Sequence, residues 1–343
     1  MSLIVRQGGM HTTLQDRGRF GAQALGVPVS GALDTEMLWL ANALVGNAPD
    51  EAALEILHIG PVLEVATASA RLALVTYGGA WTVETDGGAR AIAPWRSVTL
   101  RLGERVRVAS TGPAACAYLA VEGGFALAPV MGSLSTYVRG RIGGLEGRIL
   151  AAGDRLPLKR AQASARPELC LPAPPRAEQG PLRVVPGPQV ECFQDGALDL
   201  LCRSTYTVGR AADRMGLRLE GPELPHRDGH DIVSDGIATG AIQVPGDRRP
   251  VLLLADRQTT GGYPKIGAVC TADLPRAGRL KPGDDVRFAA VTVAEAQALA
   301  RRRHAEWIAL VATMAPADAS ALDVEALYRV NLVSGAIADG DHD

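Results

Sequence analysis

Alternation of apolar and polar positions runs through most of this chain. Between Ala53 and Thr111 the segments ARLALVTY, SVTLRL and ERVRVAS are separated by GG, DGG and LGE. Such runs put successive side chains on opposite faces of a strand, and the glycines supply turns, so the region predicts short strands in a barrel or sandwich. After residue 181 the pattern returns in PLRVVPGP, STYTVG, GAIQVP, PVLLLAD and GAVCTAD, and closes with DDVRFAAV. A second β unit is expected there.

Two stretches carry the helical period instead. Asp34 is a candidate N-cap for TEMLWLANALV, which Gly46 and Asn47 stop, giving a helix over 35–45. Thr292 and Glu295 have capping-box spacing and begin a helix over 293–313, with the final GAIADGDHD expected to fray. Residues 161–181 are proline-rich and aperiodic, so they read as a linker or surface crossing. The expected organisation is an N-terminal β domain over 1–160, the crossing over 161–181, a second β domain over 182–291, and a C-terminal helix and tail over 292–343. LGERVRVA, AGDRLPLK and PGDDVRFA share a turn that feeds an alternating strand, and DRGRFGAQALG echoes DRMGLRLEG. These repeats favour two related units.

A length of 343 residues fits two domains at roughly 100 to 200 residues each. Thirty-five basic against thirty-seven acidic residues leave a net charge of −2, which excludes a chain built to neutralise nucleic acid or an anionic membrane. The start has no secretory pattern and no run of about 18 apolar residues occurs, so a soluble, cytoplasmic protein is expected. Five widely spaced cysteines without a C-x-x-C pair argue against a disulfide framework or zinc knuckle.

Several familiar signatures fail. GVPVSGALD has Ala32 where a P-loop needs lysine, and no GxGxxG, GxSxG or HExxH is present. His226 and His230 sit in HRDGHD beside a turn, and no metal site is expected from them. No methionine precedes a lysine, so the chain carries no biotin of its own. Two glycine-rich polar clusters remain. The first, residues 15–34, contains Gln15, Asp16, Arg17, Arg19, Ser30 and Asp34; the second, residues 240–273, contains Gln243, Asp256, Arg257, Gln258, Thr259, Thr260, Tyr263 and Lys265. Glycines let a backbone approach a ligand, while amides, hydroxyls and guanidinium forks offer directed donors to carboxylate, amide or phosphate.

At these clusters the sequence resembles the KipA family, whose members are also called 5-oxoprolinase C subunits, allophanate hydrolase subunit 2 and biotin-dependent carboxyltransferase. The resemblance rests on QDRGRFG, GVPVSGALD, YLAVEGGF, GSLSTYVRGRIGGLEGR, DRMGLRLEG, GAIQVPGDRRPVLLLADRQTTGGYPKIG and DLPRAGRLKPGDDVRF, from about residue 12 to 290. It implies a mainly β fold of two tandem cyclophilin-like barrels with a few helices. It also implies two partners, a KipI-like protein and a LamB/YcsF-like protein, with ATP and Mg2+ at the level of the complex, for opening 5-oxoproline to L-glutamate. Carboxyl transfer from biotin to urea and antagonism of a KipI-like kinase inhibitor are the alternatives. Under this resemblance Asp16, Lys265 and Asp256 are the catalytic candidates. Gln15, Arg17, Arg19, Ser30, Asp34, Gln243, Gln258, Thr259, Thr260 and Tyr263 are the substrate-binding candidates, and the two loops are expected to share one cavity.

Overall fold

The computed structural model describes residues 1–85 and 87–317. In the first unit, Ser2–Gln7, Val62–Val65, Arg105–Ser110, Ala80–Thr85, Gly88–Ile92 and Arg155–Pro157 form one antiparallel sheet. A second sheet takes His11–Gln15, Ala53–Leu57, Cys116–Val121, Ser69–Val75 and Arg96–Arg101 in that order. Leu3, Val5, Leu54, Ile56, Leu72, Leu74, Trp81 and Leu119 fill the space between them.

Why the second sheet reads as a continuous apolar run is clear from its outer face. Helix α1, Thr35–Val45, lies on that face and buries Met37, Leu38, Ala41 and Leu44 against Ala73, Val75, Tyr118 and Ala120. Strand Ser69–Val75 therefore sends Leu72 and Leu74 into the barrel and Ala73 and Val75 under the helix; both faces are dry. Asp34 starts α1 by accepting from the Glu36 and Met37 amides at 3.0 and 2.9 Å, and Gly46 ends it at φ 76°.

The second unit is an eight-stranded sheet: Asp285–Val286, Tyr206–Ala212, Gly216–Glu220, Val251–Leu253, Ala241–Gln243, Lys265–Val269, Leu182–Pro186 and Phe288–Ala290. Its final pair is parallel and the rest antiparallel. Leu182, Val184, Tyr206, Leu219, Ile242, Leu252, Ile266 and Phe288 make its core, joined by Ala197 and Leu201 of α2, Ala197–Arg203. A separate two-stranded ribbon pairs Asp235–Gly236 with Thr260–Gly261. Helix α3 spans Leu274–Gly278 and α4 spans Val293–Ala312, the latter with both halves of its capping box formed. The fold is mainly β, two barrel-like units in tandem with four helices among the described residues.

The proline-rich crossing is laid on the first unit. Arg71 donates to the carbonyls of Ser164 and Arg166, Leu171 N–H donates to Trp95 O at 2.9 Å, and Leu169–Cys170 adds a strand to the second sheet. Helix α4 then returns to the first unit, burying Trp307 among the residues around α1, and Ala315–Pro316 pairs with Leu169–Cys170. The expected frayed end lies outside the described residues. The three repeated turns share one conformation: Gly103, Gly153 and Gly283 have φ of 85°, 93° and 90°, with open space where a Cβ would stand. Glycine is selected there by the backbone, not by crowding.

The units meet on buried charge. Arg214, 4% exposed, grips Asp256 with Nε and Nη2 at 2.9 and 3.1 Å, donates to Gly31 O at 2.7 Å and pairs with Glu55 through Nη1. Glu55 also accepts from the Leu33 amide at 2.8 Å and the Tyr118 hydroxyl at 2.5 Å. Burial opposes the Arg214 charge, but Asp256 and Glu55 outweigh it and raise its pKa. Arg279 repeats the arrangement, with Asp34 at 2.5 Å and Glu36 at 3.3 Å. Replacing Arg214 by Leu strands two buried carboxylates, which costs about 3 to 5 kcal/mol. Urea unfolding should show R214L shifted down by that amount, and adding E55Q and D256N should recover much of it.

Candidate functional site

The first cluster folds onto the loop 130–136. Asp16 accepts from the Gly18 amide at 2.8 Å, the Ser133 hydroxyl at 2.7 Å, the Ser135 hydroxyl at 2.5 Å and the Leu134 amide at 2.6 Å. Those donors occupy both of its oxygens. Gln15, fully buried, donates to Thr13 and to Thr136 O, both at 3.0 Å. Arg19, also fully buried, donates to Val130 O at 2.9 Å and Ser135 O at 2.8 Å; burial pushes its pKa down. Ser30 is buried at a φ of 54°, and its amide donates to Ala255 O at 3.2 Å. Asp34 caps α1 and holds Arg279, while Asp256 holds Arg214. Thus Asp16, Asp34 and Asp256, the three acid candidates, each bind a loop, a helix end or the unit junction.

Arg17 points elsewhere. It is exposed and lines a cavity of about 350 Å³ with Glu36, Trp39, Arg303, His304 and Trp307. Glu36 lies between Arg303 at 2.8 Å and Arg279 at 3.3 Å, yet burial lifts its carboxyl to about 7.

The second cluster builds a different hollow. Ile242 and Ile266 face the core, so Gln243 and Lys265, which pair directly across adjacent strands, face away from it. Gln243 donates its amide to Tyr263 O at 3.2 Å and accepts from Gln258 Nε2 at 3.2 Å. Gln243, Gln258 and Tyr263 line a cavity of about 540 Å³ with Arg210, Met215 and Arg218, walled by the backbone of Gly261 and Gly262. Lys265 stands behind that wall, 4% exposed, its Nζ 3.2 Å from Asp235 and poorly aligned for a hydrogen bond. Thr259 accepts the Ile237 amide through its carbonyl, and Thr260 pairs with Gly236 in the ribbon.

The lining of the 540 Å³ cavity includes no residue of 15–34, while the 350 Å³ cavity places Arg17 with Thr271 and Ala272 at the end of the second stretch and includes neither Gln243 nor Lys265. The loops meet instead through Arg214, which holds Gly31 and Asp256 together. His226 stacks on Phe193 with ring centres 5.3 Å apart, and its Nε2 lies 3.1 Å from Val244 O. Arg214 and the Ser133–Ser135 segment stand within DRMGLRLEG and GSLSTYVRGRIGGLEGR, yet no site role was read for them, nor for Glu55, Arg210 and Asp235. One signal for Arg214 was present: Asp213 accepts from the Met215 and Gly216 amides as Asp16 accepts from Gly18, so the DRG/DRM echo is the same turn in both units.

Two outcomes follow from these contacts. Replacing Asp16 by Ala leaves buried donors unpaired, at about 1 to 3 kcal/mol for such a group; thermal or urea unfolding should register the loss. Because the folded pKa of Glu36 lies above its ordinary 4.5, its contribution is complete below pH 4.5 and is lost as pH rises through 7. That component amounts to about 3 kcal/mol, and in E36Q the stability difference between pH 4.5 and pH 8 should shrink accordingly.

A profile of the carboxyltransferase domain, subdomain A and B, matches residues 25–290. The chain is 35% identical over 301 residues to the 5-oxoprolinase C subunit of Escherichia coli (strain K12), covering 86% of this chain and 93% of that protein. Among solved structures, TTHA0988 superposes with a TM-score of 0.75 at 37% identity, covering 84% of this chain and 55% of that one, so this chain spans about half of its length. The K. lactis urea amidolyase superposes with a TM-score of 0.81 at 27% identity, covering 90% of this chain and 20% of that one. Among the described residues, no helix is long and apolar enough to cross a membrane. With its profile matched from the α1 region to the end of the second sheet, the chain belongs to the family of carboxyltransferase domain proteins, subdomain A and B, that includes the 5-oxoprolinase C subunits.

Proposed function

We propose that this chain is the C subunit of an ATP-dependent 5-oxoprolinase, working with a KipI-like protein and a LamB/YcsF-like protein to open 5-oxo-L-proline to L-glutamate. The observation that carries this is the match to the E. coli C subunit over 93% of that protein's length, against 20% for the urea amidolyase structure. The second loop suits the substrate. A lactam presents one N–H and one C=O, and the Gln243–Gln258 amide pair offers the complementary acceptor and donor. Arg210 at the cavity, with no ion pair among the described residues, and Lys265 behind Gln243 provide cations for a carboxylate. Tyr263 completes the lining, Thr259 and Thr260 hold the ribbon through Ile237 and Gly236, and the Asp16 and Asp256 networks hold the loops in position.

Among the described residues, the N-termini of the two long helices, α1 and α4, do not suit a nucleotide. The N-terminus of α1 is capped by Asp34 with Glu36 in its first turn, and that of α4 is capped by Thr292 and Glu295. Carboxylates already occupy the amides that would take a phosphate. We therefore place ATP and Mg2+ on the partner proteins, and no step of this reading runs through them here.

Carboxyl transfer to urea is the second reading, favoured by the matched family profile and by the superposition on urea amidolyase. A ureido group also pairs with two amides. The two readings separate when the purified chain is combined with its KipI-like and LamB/YcsF-like partners and assayed for 5-oxoproline-dependent ATP hydrolysis and glutamate release. A folded, complete complex without turnover removes the first reading, and biotin-dependent urea carboxylation establishes the second. In the active complex, Lys265→Ala should lower kcat/KM by at least about tenfold, the loss of one charge-assisted contact of about 1.5 to 3 kcal/mol, while partner binding is retained.

A further inference from the structure

Lys265 is a buried ammonium paired with Asp235, which lies on an exposed stretch of the second unit. Residues 227–231 and 233–236 are all exposed, and Val233 is 93% exposed. Arg227 ties the start of the segment to Cys192 O, Phe193 O and Asp195; beyond it, among the described residues, the fastenings are Ile232 N–H to Gly262 O at 2.8 Å, the His230 ring 6.1 Å from that of Tyr263, the pairing of Asp235–Gly236 with Thr260–Gly261, and Gln189 to Asp235 at 3.3 Å. Gly229, at φ 135° with open space around it, and Gly236 bracket the segment. A strip with so little burial opens at low cost compared with the sheet beneath it. Its anchor points, Gly261 and Gly262, are also the backbone wall of the Gln243–Gln258 cavity. Displacing the ribbon therefore bares Lys265 beside the amide pair.

We propose that this ribbon is a gate, and that the Asp235 carboxylate occupies on Lys265 the position taken by the anionic group of a small carboxylate ligand. The ligand and Asp235 compete for one ammonium, so binding and gate opening are the same exchange. The inference rests on assigning the second loop as the ligand site, and the ligand class follows from it: a compact carboxylate carrying an amide.

The chain has three lysines, Lys159, Lys265 and Lys281, which makes the exchange measurable by acetylation and peptide mass spectrometry. In the wild type Lys265 should react far more slowly than Lys159, whose side chain is 45% exposed. Asp235→Asn should speed labelling of Lys265 by about fivefold, the effect of losing one half-exposed ion pair, with Lys159 and Lys281 unchanged. In that variant 5-oxoproline should restore protection where acetate at equal concentration does not. Protection by both carboxylates upholds the exchange and sinks the lactam assignment. Equal Lys265 labelling in wild type and D235N, or no protection by either carboxylate, overturns the gate.

Discussion

Buried guanidinium groups, Arg214 first among them, fix how the two barrels sit on each other. Arg214 is carried by a turn of the second unit, yet its donors reach Gly31 and Glu55 of the first as well as Asp256 of its own. Charges taken this far out of water are tolerable only when every donor has a partner, so the cost of separating the units is high and the docking angle is narrow. Arg279, with Asp34 and Glu36, is a second buried connection of the same kind, and Gly278 beside it admits no side chain, since a Cβ would stand 2.3 Å from Leu33 O. Two such fixed points define the relative placement of two rigid sheets. The polar loops inherit that placement.

This explains why the acidic residues of the glycine-rich clusters are spoken for. Sequence composition shows carboxylates, amides and arginines near one another, and nothing in it separates those that fix the frame from those left to bind. Distances do. Asp16 has both oxygens filled by four donors, and Asp256 faces both Nε and Nη2 of one arginine, whereas Gln243 and Gln258 satisfy each other with one bond and keep donor and acceptor capacity for a ligand.

What was legible in the sequence follows the same line. Short-range chemistry announced itself: Asp34 and Gly46 bounded α1, Thr292 and Glu295 began α4, and glycines at positive φ marked the turns before Arg105–Ser110, Arg155–Pro157 and Asp285–Val286. Binary pattern gave the strands and the two-unit count. Pairings across 159 residues, such as Arg214 with Glu55, leave no periodic trace, because burial of an ion pair depends on how finished units dock. The crossing over 161–181 shows the intermediate case. Its prolines and lack of period marked a crossing, but its attachment to the first sheet depends on Arg71, a buried cation inside a strand pattern, finding carbonyls there.

The position of the Gln243–Gln258 pair also bears on how an unstrained amide could be engaged. The two residues are mounted on or beside strands whose opposite face is the second core, so their backbones cannot give way when a ligand's amide competes with their mutual bond. In the proposed reading a rigid amide pair would hold a lactam in one orientation, which moves the entropic cost of alignment into folding. In the gate reading the movable component is the outer wall, the exposed 227–236 strip, and not the strands. Rigidity at the amides and looseness at the rim are what a site needs if its ligand must be enclosed and later released to a neighbouring protein. In that reading the two properties are divided between a sheet sealed by isoleucines and an exposed, mostly polar strip containing Gly229 and Gly236, and the division is set at folding.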